Sequence, residues 1–180
     1  MRRNIARMKG MAYVIWHAKH VLFHVLFGLV WAWFLRETWH EFNPKWVLAA
    51  VVGSVLPDID HLLYFFTYGR RDPYTRTIVT FFKNRQWRVL TTFMEKGHKY
   101  NTDLWFHNYY IMLGLFIFCL LSYLYDWRIG VVLFGAMTTH YAFDIVEDIL
   151  LLGRVNPNWK RWGRRRKAHV SSPPFGDHFL

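Results

Sequence analysis

The chain has one cysteine, Cys119, in 180 residues, and it sits inside the apolar run "LGLFIFCLLSYLY". A lone cysteine excludes both an intrachain disulfide framework and a thiolate metal site, so any metal must be held by His, Asp or Glu. Acidic residues are also scarce: 12 Asp and Glu stand against 23 Lys and Arg, for a formal net charge of +11. No glycine-rich nucleotide-binding loop and no internal repeat is visible. The basic start "MRRNIARMKG" has no small-residue cleavage site after it, so the segment is expected to be retained.

What the sequence has in abundance is apolar: 53% of its residues are hydrophobic and 20% aromatic. An isoelectric point near 10.0 raises the question of nucleic acid. Here, however, the basic residues flank long apolar runs and form no continuous stripe, which argues against a nucleic-acid partner. A hydrocarbon core needs about 20 mainly apolar residues per helix. Four segments meet that need: Met11 to Leu35, Pro44 to Tyr68, Asp103 to Tyr125 and Trp127 to Leu152. The expected fold is therefore an all-α integral membrane bundle of about four transmembrane helices. Residues 1–153 would form the transmembrane domain and residues 154–180 a basic, flexible tail.

Charge fixes the expected orientation. Four Lys or Arg precede the first span, eight lie between the second and third, and seven follow the fourth, whereas the other two connections hold only Arg36, Lys45 and Arg128. The positive-inside rule places both termini and the middle loop in the cytoplasm. The middle loop, Arg70 to Thr102, mixes Phe81, Phe82, Trp87, Val89, Leu90 and Phe93 with basic residues, and reads as one amphipathic helix on the inner leaflet. The tail's "KRWGRRRK" would be drawn to anionic lipid.

Ionisable residues inside hydrocarbon are costly, and their placement is informative. His17, His20 and His24 share a face in the inner half of the first span. Asp58, Asp60 and His61 lie in "LPDIDH" near the inner end of the second, where Pro57 leaves a carbonyl without its usual donor and should open the helix. His107 is expected on the first turns of the third span. His140, Asp144, Glu147 and Asp148 recur at helical spacing in the fourth. All four spans thus bring such groups to one depth. Each has a plainer reading: Asp58 could cap a helix, His20 could be a hydrogen-bonding residue, and Glu147 or Asp148 could be wet or paired with Lys or Arg. His40, His169 and His178 read as solvated. Together, imidazole and carboxylate suit Zn, with Mn or Fe as alternatives, as one ion or a close pair.

"GSVLPDIDH", a later "WFHN" and "GAMTTHYAFD" resemble the bacterial and archaeal inner-membrane family described as metal-dependent hydrolases (YdjM-like), over residues 17 to 148. The resemblance implies an early ligand at His24 or His20, ligands at Asp58, Asp60 and His61, a third-segment ligand at His107, and the pair His140 and Asp144. It departs from the family's closely spaced histidines in the third segment, because His98 stands nine residues before His107. The His and Asp set is also distantly similar to zinc-dependent phospholipase C and nuclease helical bundles. The expected activity is hydrolysis of a lipid or lipid-linked ester or phosphoester at the cytoplasmic leaflet. The metal ligands would be His24, Asp58, Asp60, His61, His107, His140 and Asp144, and Asp60 or Glu147 the general base. Two rivals use the same residues: a structural or interaction protein, and an ion or proton path. Few ionisable residues occupy the outer halves of the spans, which favours a one-sided site over a path.

Overall fold

The computed structural model describes residues 2–101 and 104–162, without side chains for 2–17, 95–96, 98–101 and 151–152. The side chains of His17 and His98, and the tail from residue 163 with His169 and His178, lie outside that description. Every regular element among the described residues is helical.

Helix α1 covers Arg2–Trp39 and turns at His40, whose φ of 51° is the left-handed conformation that ends helices. Asn43 then accepts a hydrogen bond from the Lys45 amide, and Pro44 opens α2, Pro44–Val55. Pro57 ends that regular helix as its missing donor requires: a 3-10 turn, Leu56–Asp58, leads into the short α3, Ile59–Leu63, and a π turn at Tyr64–Tyr68. The irregular stretch coincides with "LPDIDH".

The middle segment differs from the single amphipathic helix expected. It is two helices, α4, Pro73–Lys83, and α5, Trp87–Asn101, broken at Asn84–Gln86, where Arg85 has a φ of 55°. The break folds α5 back so that Phe93 packs against both Tyr74 and Phe81. One continuous helix would have left those rings apart.

The third span is also shorter than expected. Its helix, α6, is Tyr109–Leu124, or about 24 Å at 1.5 Å per residue, and Asn108 caps it by accepting from the Ile111 amide. Residues 104–108 ahead of it are not helical, so His107 sits on an irregular approach and not on a first helical turn. Helix α7, Arg128–Leu152, ends at Gly153 in the left-handed conformation. Among the described residues, three segments are long and apolar enough to cross a membrane: Ala18–Trp39, Pro44–Tyr68 and Arg128–Leu150. Helix α6 is a shorter apolar companion.

Helices α1, α2 and α7 pack on one another, and α6 packs on α7. Small residues set how closely they approach. A Cβ on Gly28 would run into Ser54, and one on Gly53 would lie 2.6 Å from the Leu133 carbonyl oxygen. Their outer faces carry Leu22, Val30, Trp33, Leu48, Leu113, Phe116 and Leu120, all exposed, a surface suited to lipid and not to water. Membrane association follows from this surface and from the span lengths.

Candidate metal centre

The site gathers at the end of the bundle where the span of α1 begins and those of α2–α3 and α7 finish. His24, Asp60, His107 and His140 are all buried there. Burial makes each ring nitrogen's partner a matter of accounting, because an unpaired buried polar atom is costly.

His140 Nδ1–H donates to the Ser54 carbonyl at 2.6 Å, which leaves Nε2 as the lone-pair nitrogen. His107 Nδ1–H donates to Asp60 Oδ2 at 3.2 Å, with the same result. Both Nε2 atoms, and Asp58 Oδ2, are buried without a hydrogen-bond partner. Asp58, His107 and His140 each offer a donor atom within 4.8 Å of the other two. Asp58 Oδ1 lies 3.7 Å from His140 Nε2, and lone pairs gathered this closely repel unless a proton or a metal cation lies among them. That donor set fits a divalent ion, since imidazoles that bind metal are commonly held from behind by a carboxylate or carbonyl. These groups can hold a metal ion.

A second set lies beside it: His20, His24 and Asp144 also bring donor atoms within 4.8 Å of one another. His24 Nε2 is 2.9 Å from His20 Nε2, and His20 Nδ1–H donates to Glu147 Oε1 at 3.3 Å. Asp144 stands between the two sets. Its Oδ1 is 3.3 Å from His24 Nε2, and its Oδ2 is 3.3 Å from His140 Nε2 and 3.6 Å from His107 Nε2.

Two of the expected ligands have other placements. Asp60 is 2% exposed, and its oxygens accept from the Tyr68 hydroxyl, the Phe106 amide (2.8 Å) and His107. It therefore orients His107 from behind. Neither direct ligation nor the role of general base suits a carboxylate so engaged. His61 Nε2 is 4.0 Å from Asp58 Oδ1, and its ring lies 5.3 Å from that of His107; it belongs to neither set and lines the adjoining cavity. Glu147 lines the same cavity of about 60 Å³, space for a few waters, together with His20, Asp144, Asp148, Asn156 and Trp159.

Part of the cavity wall comes from Asn156, Asn158 and Trp159, within the stretch expected as a flexible tail. After Gly153 the chain turns back, and Asn158 and Trp159 are buried. Asp148 Oδ2 accepts from the Trp159 indole N–H at 3.0 Å and from the Asn156 amide at 3.2 Å. Asp148 is thus a structural anchor. The alternation of Asn156, Pro157, Asn158 and Trp159 in an otherwise basic stretch was the available signal. For His20, the signal was its i, i+4 relation to His24 opposite the i, i+3 pair Asp144 and Glu147.

Known proteins give no further guide. The chain matches no family model, no curated protein and no solved structure.

Proposed function

We propose that the protein is a membrane-embedded, metal-dependent hydrolase acting on an ester or phosphoester of a lipid or lipid-linked substrate. The observation that carries this reading is the trio Asp58, His107 and His140, whose donor atoms lie within 4.8 Å of one another and whose two Nε2 atoms are buried without a hydrogen-bond partner, with Asp144 beside them. The resemblance of "LPDIDH" and "HYAFD" to inner-membrane metal-dependent hydrolases supports it. Zinc is the preferred ion for this nitrogen and oxygen set; Mn or Fe would also be accommodated.

A divalent ion, when bound, lowers the pKa of a coordinated water to about 7 and polarises the scissile group. The chain supplies the rest. Asp60 and the Ser54 carbonyl hold the two imidazoles in one tautomer, so that their lone pairs stay on the site. Glu147, on the cavity wall near Asp144, takes the proton of the attacking water. The water oxygen bonds to the phosphorus or carbonyl carbon, the ester oxygen leaves, and Glu147 returns the proton to it. The positive-inside rule places this end of the bundle at the cytoplasmic leaflet, where Arg70, Arg71, Arg76, Lys83 and Arg85 would attract anionic head groups.

The test is metal content by mass spectrometry on detergent-purified protein beside the double variant Asp58→Ala, His140→Ala. Bound Zn, Mn or Fe that drops by at least one equivalent in the folded variant, with parallel loss of phospholipid hydrolysis in vesicles, is the expected result. Wild-type protein that stays metal-free after reconstitution with each ion would overturn the reading.

A further inference from the structure

We infer that the centre is dinuclear: His20 and His24 hold a second divalent ion, and Asp144 bridges it to the first. This rests on the metal-dependent reading above and adds a site to it.

The Nδ1–H of His20 is committed to Glu147, so its Nε2 is a lone pair directed at His24 Nε2, 2.9 Å away. His24 is 1% exposed and its Nδ1 has no hydrogen-bond partner, which leaves Nε2 as the atom through which this imidazole must interact. Two imidazoles converging on one point beside a carboxylate oxygen repeat the pattern at His107 and His140. Glu147 holds the far nitrogen of His20, as Asp60 does for His107 and Ser54 for His140, whereas His24 Nδ1 has no such partner.

Asp144 divides its oxygens between the sets. Oδ1 lies 3.3 Å from His24 Nε2 and 3.8 Å from His20 Nε2; Oδ2 lies 3.3 Å from His140 Nε2 and 3.6 Å from His107 Nε2. Ligand bonds of roughly 2.0 to 2.2 Å around a tetrahedral ion put neighbouring donor atoms about 3.3 Å apart, so each oxygen is at the spacing of a ligand in its own set. The His24 and His140 rings stack at 3.7 Å between centroids and 18° between planes, presenting their Nε2 atoms side by side to the two oxygens. A carboxylate so placed holds two ions at the roughly 3.5 to 4 Å separation used to clamp both oxygens of a phosphoryl displacement. The substrate class that follows is a phosphoester in preference to a carboxylic ester.

Charge points the same way. Among the described residues, no Lys or Arg side chain forms an ion pair with Asp58, Asp60 or Asp144. One divalent ion leaves a negative charge uncompensated among those three carboxylates, and a second removes the deficit.

The experiment uses the full chain in detergent, stripped of metal and then loaded with Zn for mass spectrometry or Mn for electron paramagnetic resonance. Wild type is expected to bind two equivalents, and the Mn form to show the broadened spectrum of an exchange-coupled pair. His20→Ala and His24→Ala should each bind one equivalent with an uncoupled Mn spectrum. His20 is partly exposed, so its variant reads the site even if His24→Ala fails to fold. One equivalent in wild type, unchanged in His20→Ala, would overturn the second site and leave the first intact; so would two equivalents that neither variant reduces. No bound metal in wild type would overturn both readings.

Discussion

At one end of the bundle Ala32, Leu35, Trp46, Ala50, Val131 and Val132 pack α1, α2 and α7 with only apolar side chains. At the other end the same three elements, extended by α3, bury His24, Asp60 and His140. The apolar end is held by shape: small residues face large ones, and Trp39 lies edge-on to Trp46 at 4.9 Å. Its charges are outside, where Arg128 pairs with exposed Glu41 and Asp126, contacts of the kind that contribute little. The site end cannot be held that way. Its carboxylates and imidazoles each lose hydration, and they repay that cost only through second partners or a cation. The far end is thus a scaffold that needs no ion, whereas the site end gathers charge that a cation would offset.

The largest break in that comparison should come from Asp144→Ala, which removes the oxygen nearest to each histidine set. Metal content is expected to fall to background and hydrolysis to become undetectable, while circular dichroism and elution volume in detergent stay those of wild type. Retained metal would mean that Asp144 does not join the sets. Loss of fold would mean that the apolar end is no independent scaffold.

Asp60→Asn probes the layer behind the ligands. The amide removes the charge facing His107 Nδ1–H and weakens the hold on its tautomer. Outer partners of this kind are worth about 10- to 100-fold in metal affinity. A chelator competition should show a drop of that size at unchanged stoichiometry. A loss as complete as that of Asp144→Ala would return Asp60 to the ligand set. The opposite end offers the matching control, Ala50→Leu, at a residue with no exposed surface. Overpacking there should cost about 1–3 kcal/mol in thermal or denaturant unfolding and leave the metal affinity of the folded protein unchanged.

Much of the apolar end was legible in sequence because span length and hydropathy are local properties. The second span was expected at Pro44 to Tyr68 and lies there, and the helix break at Pro57 followed from a missing backbone donor. The site was legible as a set of residues at one depth, since helical spacing fixes faces. It was not legible as roles. Whether Asp58 or Asp60 faces the cluster depends on the 3-10 and π turns that follow Pro57, and on an irregular segment at 104–108 that brings the Phe106 amide to Asp60. Those are long-range contacts between an irregularly wound helical stretch and a non-helical segment, for which α-helical periodicity carries no information. The break in the middle segment at Arg85 was hidden for a similar reason: the amphipathic pattern continues through a turn that its residues tolerate.

The smallest effect sharpens the boundary of the site end. Trp159 stacks edge-on against Tyr141 at 5.6 Å and donates its indole N–H to Asp148, so it combines packing with one hydrogen bond. Trp159→Phe keeps an aromatic ring and removes the donor, while the Asn156 amide still reaches Asp148. The loss should be that of one hydrogen bond, about 0.5–1.5 kcal/mol, read as roughly two- to tenfold faster amide exchange over residues 154–161. Metal stoichiometry should not change, because Trp159 supplies no donor to either set. If metal affinity falls with the exchange protection, the segment after Gly153 does more than wall the cavity: it holds α7 in the register that aims Asp144 and Glu147. The site end would then extend beyond the membrane-spanning helices into the first turn of the basic segment.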